Sequence, residues 1–330
     1  MKIQESCLLC GSGFLSERCT VPERACGKGE SFKILACPSC GFMATSPQPE
    51  GPELAGYYPD GYAPHTASWR GPLFGGKPVR DALKREVFRL WYGYFGGPRG
   101  GALEALEKRA LGPLRFIWLV PPDFTPGGRL LDVGCGAGEY LAFARDLGWS
   151  VVGLEAKAAA AEEARRTFGL DIRAGTLDSL TAADGPFDVV SLWHVLEHVA
   201  DPDAALKSAR RALKPGGYIL AGVPNAGCWE AALLGSHWLQ WDPPRHLWHF
   251  TPDTLAALAR RCGLRVADWH TLPGSGDLVV SLQFALRDRG FSWAAALPGW
   301  GLLRLLLWPY GWLARARNAG GRLVARLEPL

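Results

Sequence analysis

The chain has 330 residues, longer than one ordinary domain and shorter than three full-sized ones, so an α/β domain with a smaller appendage is expected. Hydrophobic residues make up 48% and charged residues 21%, which supplies a packed core and excludes wholesale disorder. With 36 Lys+Arg against 32 Asp+Glu the net charge is +4, too mild to require a polyanionic partner.

The opening residues hold no apolar run behind Lys2, so no secretory leader is read there and the cytoplasm is the expected compartment. Of 9 cysteines, those at positions 7, 10, 19, 26, 37 and 40 cluster near the start. In a reducing compartment such clustering points to metal rather than disulfides. Cys7-Leu-Leu-Cys10 and Cys37-Pro-Ser-Cys40 are each followed by a glycine, Gly11 and Gly41. Each CxxC turn presents two thiolates on one side of a knuckle. Two knuckles give the four soft tetrahedral ligands that Zn²⁺ takes at a closed structural site. A hairpin that includes Ser31–Ala36 would span the gap, and Cys19 and Cys26 stay outside the ligand set. Residues 1–50 are therefore expected as a zinc-ribbon-like module that draws most of its folding energy from the metal.

Residues 51–124 have the character of a linker and helical cap. Pro, Gly and Tyr crowd the stretch 47–72, and Val79–Tyr94 then repeats apolar residues at helical spacing, as does Ala102–Trp118. From Arg129 the chain runs Leu-Leu-Asp-Val-Gly-Cys-Gly-Ala-Gly-Glu-Tyr-Leu. A short apolar strand thus enters Gly134, Gly136 and Gly138 before a helix starts near Glu139, a turn that lets backbone approach a ligand closely. A second strand, Ser150–Leu154, ends in Glu155, placed to accept both hydroxyls of a ribose. A helix over Lys157–Phe168, a strand over Asp171–Ala174, a buried strand Phe187–Leu192, a helix from Pro202 to Leu213 and a strand Tyr218–Val223 follow. This alternation predicts parallel βαβ units in a doubly wound sheet.

Together LLDVGCGAGEYL, VVGLEA, FDVVSLWHVLEHVADP and ALKPGGYILAGVPN resemble the successive motifs of class I S-adenosylmethionine-dependent methyltransferases, in the subgroup similar to the ubiquinone-biosynthesis O-methyltransferases. The resemblance covers roughly residues 125–270. It implies a Rossmann-like, seven-stranded α/β sheet with the last strand antiparallel, in a domain over residues 125–330. It also implies that Asp132, Gly134, Gly136 and Gly138 cradle the methionine part of the cofactor, and that Glu155 holds the ribose with Ala156 beside the adenine. Leu177 would pack on the adenine ring, Asp178 would accept from its amino group, and Trp193 would wall the sulfonium. Dehydrogenases carry GxGxxG instead; the GxGxG spacing after Asp132 separates this chain from them.

Two clusters carry candidate chemistry. His194, Glu197 and His198 lie on the substrate side of the fourth strand, spaced to share one face of a helical turn. His194 is the candidate general base for a hydroxyl, with His198 near the substrate. The ubiquinone-type enzymes have an acidic residue in place of His194, and there this face binds a divalent cation; His194, Glu197 and His198 are the corresponding set here. The same HxxEH string occurs in inverted zinc proteases, which need a long helix in another fold. The second cluster is the aromatic stretch from His237 to Phe250. In it Asp242 and His246 are candidate catalytic groups, and Trp241 and Arg245 candidate substrate contacts, since aromatic faces with an Arg fork suit sugars, phosphates or carboxylates.

After a strand at Leu264–His270, an insert over 272–318 precedes a closing strand at Gly321–Leu327. Its run Trp293–Ala314 is apolar but broken by Pro298, Arg304 and Pro309, which suits an interfacial segment at the inner face of a membrane, or a packing or homodimer contact, rather than a spanning helix. The expected activity is methyl transfer to a small-molecule or lipid-linked acceptor, a sugar, polysaccharide precursor or quinone-like hydroxyl, with oxygen, carbon and nitrogen all open as the methylated atom. The alternatives are an RNA methyltransferase using the ribbon, or a non-catalytic cofactor-binding protein. The balanced charge of residues 1–50 speaks against nucleic acid.

Overall fold

A computed structural model describes residues 1–13, 15–58, 73–74, 77–116, 119–180, 185–272, 275–293 and 306–330. The chain divides into two compact units. One comprises Met1–Tyr62, His194–Lys207 and Ala221–Leu330, and the other Ala63–Trp193 and Ser208–Leu220.

The strands in chain order are β1 (Ser16–Pro22), β2 (Ser31–Ala36), β3 (Met43–Ser46), β4 (Arg129–Val133), β5 (Ser150–Glu155), β6 (Ile172–Ala174), β7 (Phe187–Trp193), β8 (Leu213–Pro224), β9 (Trp248–His249), β10 (Leu264–Leu272) and β11 (Arg322–Pro329). Among the described residues they form a seven-stranded sheet, β10-β11-β8-β7-β4-β5-β6, and a four-stranded sheet, β1-β2-β3-β9. β4 pairs in parallel with β5 and β7, β5 with β6, and β10 runs antiparallel to β11. The expected doubly wound sheet with its antiparallel closing strand is therefore present. Its central strands read as near-continuous apolar runs because both faces are covered. Leu130, Leu131, Val189, Val190 and Leu192 are all fully buried.

In the second unit, α4 (Glu139–Asp146) and α5 (Ala158–Phe168) follow β4 and β5. α5 packs through small side chains, Ala160, Ala161 and Ala164, and ends at Gly169 in the left-handed conformation. The helical cap is α2 (Pro78–Tyr92) and α3 (Ala102–Leu111). The expected helix over Ala102–Trp118 stops at Leu111 and tightens into a 3-10 turn over Gly112–Phe116, because Pro113 has no amide to donate. Ile117 and Trp118 lie outside the described residues. Arg89, buried on α2, bridges Glu86 and Glu107.

In the first unit β1 and β2 form the expected hairpin, from Ser16 opposite Ala36 to Pro22 opposite Ser31. β3 adds to β2, and β9 adds to β3 with Met43 opposite His249 and Ala44 opposite Trp248. The cysteine-bearing segment thus shares a sheet with residues two hundred positions on. It also shares a core, in which Val21, Ile34 and Met43 pack with Ala231, Trp238 and Trp241. α8 (Pro252–Arg261) begins with a capping box, the Thr251 hydroxyl accepting from the Thr254 amide, with Pro252 at its first position.

Between β10 and β11 the structure holds α9 (Ser275–Asp288) and a helix over Trp308–Ala316. Most of the apolar run expected over Trp293–Ala314 lies outside the described residues. Trp293, Leu306, Trp312 and Leu313 at its described ends are exposed. Among the described residues no helix is long and apolar enough to cross a membrane.

Candidate functional site

The glycine turn after β4 is built as the motif requires. Gly134, Gly136 and Gly138 have φ of +66°, +52° and +83°, a region that only glycine visits without cost. Gly138 is also crowded: a Cβ there would sit 3.0 Å from Leu170 Cδ1 and 3.1 Å from Ala164 Cβ. The Glu155 carboxylate ends β5 almost fully buried and accepts from the Gly136 amide and the Lys157 amide, each at 2.8 Å. One residue thus ties the glycine turn to the start of α5.

Asp132 is opposite Ser191 in the β4–β7 pairing and accepts its hydroxyl at 2.6 Å. Burial pushes the Asp132 carboxyl up to about 7, against the Ser191 hydrogen bond that favours the anion and with the Glu155 charge adding to the rise. The Trp193 ring at the end of β7 lies edge-on to Tyr140, 5.2 Å between centroids. Ala156 is exposed, Leu177 is buried, and the Asp178 side chain lies outside the described residues. The donor set fits S-adenosylmethionine. Glu155 offers a carboxylate for paired ribose hydroxyls, Asp132 one for a cationic amine, and Gly138 marks a turn that a side chain would fill. Ser191 was not among the sequence candidates. Its signal is a hydroxyl in an otherwise apolar strand, which becomes meaningful only with the register to Asp132.

The other unit holds the histidine cluster. His194 has φ +54°, unusual for a non-glycine residue, and its amide donates to Gly222 O at 2.8 Å. Its Nδ1 lies 2.9 Å from Glu197 Oε1. Glu197 is completely buried. Burial alone would raise its carboxyl, but the hydrogen bond and charge of His194, with His198 and His246 nearby, hold it down at about 2. Its Oε2 finds no hydrogen-bond partner among the described residues.

His198 and His246 meet at 4.7 Å between ring centroids. His198 Nδ1 lies 3.1 Å from Arg245 O and 3.2 Å from Tyr58 Oη, and His246 Nδ1 lies 2.8 Å from Gln240 O. A carbonyl can only accept, so both rings carry a proton on Nδ1. Burial and the neighbouring His246 lower His198 to about 4, so it is neutral at pH 7. Ligand atoms of Glu197, His198 and His246 lie within 4.8 Å of one another. The set the fold gathers therefore differs from the expected His194, Glu197 and His198. The left-handed turn at His194 directs its ring to the other Glu197 oxygen, and His246 comes in from a distant loop.

The rest of that loop is turned inward. Trp241 is wholly buried, edge-on to Trp238 and His249. Asp242 and Arg245 form a bidentate ion pair, and Arg245 Nη1 donates to Tyr57 O at 3.0 Å. Both line a cleft of about 140 Å³ with Val21, Arg24, Trp238 and Phe284.

The four thiols of Cys7, Cys10, Cys37 and Cys40 also lie within 4.8 Å of one another, with Cys7–Cys40 and Cys10–Cys37 at 3.5 Å. A tetrahedral Zn²⁺ with bonds of about 2.3 Å sets sulfurs about 3.8 Å apart, so the cage fits. Each knuckle closes the same way, Gly11 N donating to Cys7 O at 2.9 Å and Gly41 N to Cys37 O at 2.8 Å. Cys19 and Cys26 stand outside the cluster.

Comparison with known proteins agrees with this geometry. The family described as Methyltransferase domain matches residues 104–268, starting in α3 rather than at the glycine strand. A ubiquinone biosynthesis O-methyltransferase from Cereibacter sphaeroides is 37% identical over 177 residues, 50% of this chain and 70% of that protein. One from Dinoroseobacter shibae is 36% identical over 185 residues, covering 53% and 73%. One from Xanthomonas campestris pv. campestris is 30% identical over 171 residues, covering 48% and 72%. The chain therefore belongs to the methyltransferase domain family and is a class I S-adenosylmethionine-dependent methyltransferase.

Proposed function

We propose that the enzyme methylates a hydroxyl of a small or lipid-linked acceptor, with His194 as the general base. The observation that carries this reading is the contact between His194 Nδ1 and the buried Glu197 carboxylate at 2.9 Å. The Glu197 carboxylate accepts a hydrogen bond from His194 Nδ1–H, so His194 Nε2 is the atom left to accept a proton, the same base-and-orienter logic as a catalytic triad. The names of the relatives favour a quinone-like phenol as the hydroxyl. S-adenosylmethionine, when bound, supplies an electrophilic methyl on a sulfonium. Glu155 and Asp132 orient it, the glycine turn admits it, and Trp193 shields it from water. The acceptor proton passes to His194 Nε2, and Glu197 stabilises the imidazolium that results.

A second reading is favoured by Glu197 Oε2, which has no hydrogen-bond partner among the described residues. A divalent cation held by Glu197 Oε2, His198 Nε2 and His246 Nε2 would polarise the acceptor oxygen instead, leaving Glu197 Oε1 on His194. Zn²⁺ at the four cysteines is proposed as structural. The exposed Trp312 and Leu313, with Arg317 following, support a peripheral contact with a lipid-bearing acceptor.

The test incubates the enzyme with methyl-labelled cofactor and, separately, a catechol, a nucleotide hexose and a total lipid extract. Transfer to the catechol or the lipid fraction, lost in His194→Ala by about 10²-fold or more with S-adenosylhomocysteine affinity kept, supports the base. A His194→Ala variant at full rate that loses activity with chelator supports the cation. With total RNA as a fourth acceptor, label confined to the RNA would refute the small or lipid-linked acceptor.

A further inference from the structure

The cysteine cage and the histidine cluster are linked through a short stretch of chain. Five residues beyond Cys40, Thr45 is completely buried in β3. Its amide donates to Leu247 O at 3.0 Å, and its hydroxyl donates to His246 O at 2.6 Å. That hydroxyl has one proton, so the His249 Nε2 that lies 3.0 Å away must be its donor. Gln48 Nε2 donates to Leu247 O at 2.9 Å. Phe42, between Cys40 and β3, stacks on Trp248 at 5.8 Å and leans on Phe250 at 5.6 Å. On the far side of the loop the Leu247 amide donates to Glu197 O at 2.7 Å. The loop that carries His246 is therefore clamped between the second cysteine knuckle and the Glu197 turn. The first knuckle is tied as well: Arg261 donates to Leu8 O and Leu9 O and pairs with Asp203.

We propose that Thr45 is a positioning residue for His246 and that metal in the Cys7, Cys10, Cys37 and Cys40 cage keeps it in place, so that emptying the cage releases the His246 loop from Glu197 and His198. The role in turnover rests on the reading that the Glu197 cluster works in methyl transfer; the structural coupling does not. Other bonds also hold the loop, His246 Nδ1 to Gln240 O at 2.8 Å, Trp248 Nε1 to Val199 O at 2.8 Å and the Ala226 amide to Phe250 O at 2.8 Å. Among the described residues, however, the contacts from β3 are the ones that join it to the cysteine knuckle. Trp248 and His249 pair with β3 over two residues only. Without a cage to fix the turn before β3, that pairing has little to hold its register.

The test has two arms. In the first, zinc is removed from the full chain with a chelator, and hydrogen exchange is followed by peptide. Exchange over 243–250 is expected to rise about tenfold or more while the peptide over 129–155 and S-adenosylhomocysteine affinity stay within about twofold. Unchanged protection of 243–250 would overturn the coupling. In the second, Thr45→Val and Thr45→Ser are made with zinc content kept at about one per chain. Thr45→Val should open 243–250 and lower kcat about tenfold with the KM for S-adenosylmethionine unchanged, and Thr45→Ser should restore both. This arm decides the matter even if the zinc-free chain unfolds; a Thr45→Val chain with native exchange refutes the positioning role. Opened exchange with native kcat would uphold the coupling and instead refute the Glu197 cluster as the working site.

Discussion

Asp132 provides the most quantitative test of the cofactor cradle. Asp132 is only 2% exposed, and burial raises its carboxyl to about 7 despite the Ser191 hydroxyl at 2.6 Å. In the unfolded chain an aspartate titrates near about 4. Between those values the unfolded chain has released a proton that the folded chain retains, so stability falls as pH rises through the interval and levels off above it. At about 1.4 kcal/mol per unit, the part of the fall between about pH 5 and pH 7 is on the order of 2–3 kcal/mol. Asp132→Asn keeps an acceptor for Ser191 and cannot titrate. The assay is urea unfolding of both proteins without cofactor at about pH 5 and about pH 7.5. The wild type should lose on the order of 2–3 kcal/mol relative to the variant across that range. Parallel pH profiles would refute the argument. Cofactor binding should show the opposite sign, because a cationic amine beside Asp132 favours its anion. S-adenosylhomocysteine affinity should rise with pH around neutrality in the wild type and be flat in Asp132→Asn.

Three further outcomes are expected. A Cβ at Gly153 would lie 2.5 Å from Ile172 Cδ1, 2.6 Å from Leu141 Cδ1 and 2.8 Å from Cys135 Sγ. Gly153→Ala should therefore cost about 1–3 kcal/mol in urea unfolding, and an unshifted midpoint would show that α4 can move aside. Thr251→Ala removes the α8 cap and should cost about 1 kcal/mol, with faster amide exchange confined to the first turn of Pro252–Arg261. Cys37→Ser should lower zinc well below about one per chain, whereas Cys19→Ser should leave it unchanged.

What could be read from sequence is what depends on neighbours along the chain. The glycine turn, Glu155, the apolar strands and the Thr251-Pro252 start of α8 each follow from local backbone chemistry, and each is found where expected. The two cysteine knuckles are also local, and their spacing was enough to bring four sulfurs together. Less legible was anything set by distant pairing. The two-residue strand Trp248–His249 has no periodicity to detect, and only Met43 and Ala44 opposite it make it a strand. The Asp242 and Arg245 side chains look in sequence like ligand contacts, and their pairing with each other and with Tyr57 O, at the edge of a cleft, depends on a fold that their neighbours do not announce. His246 offered no sign that it would meet Glu197 and His198, because that meeting depends on Thr45 and the Leu247 amide rather than on its own neighbours.

The pairing of β3 with β9 also has a consequence during synthesis. Thr45 and His246 are 201 residues apart, so on a ribosome making about 5–20 residues per second the partner of β3 emerges some 10–40 s later. For that time the Met43–Ser46 edge, with Phe42 beside it, is an open strand next to apolar rings, the kind of edge that recruits another chain. Slow elongation or premature release before residue 250 should thus yield aggregates, and a chaperone that covers an unpaired edge should raise the yield of the full-length enzyme.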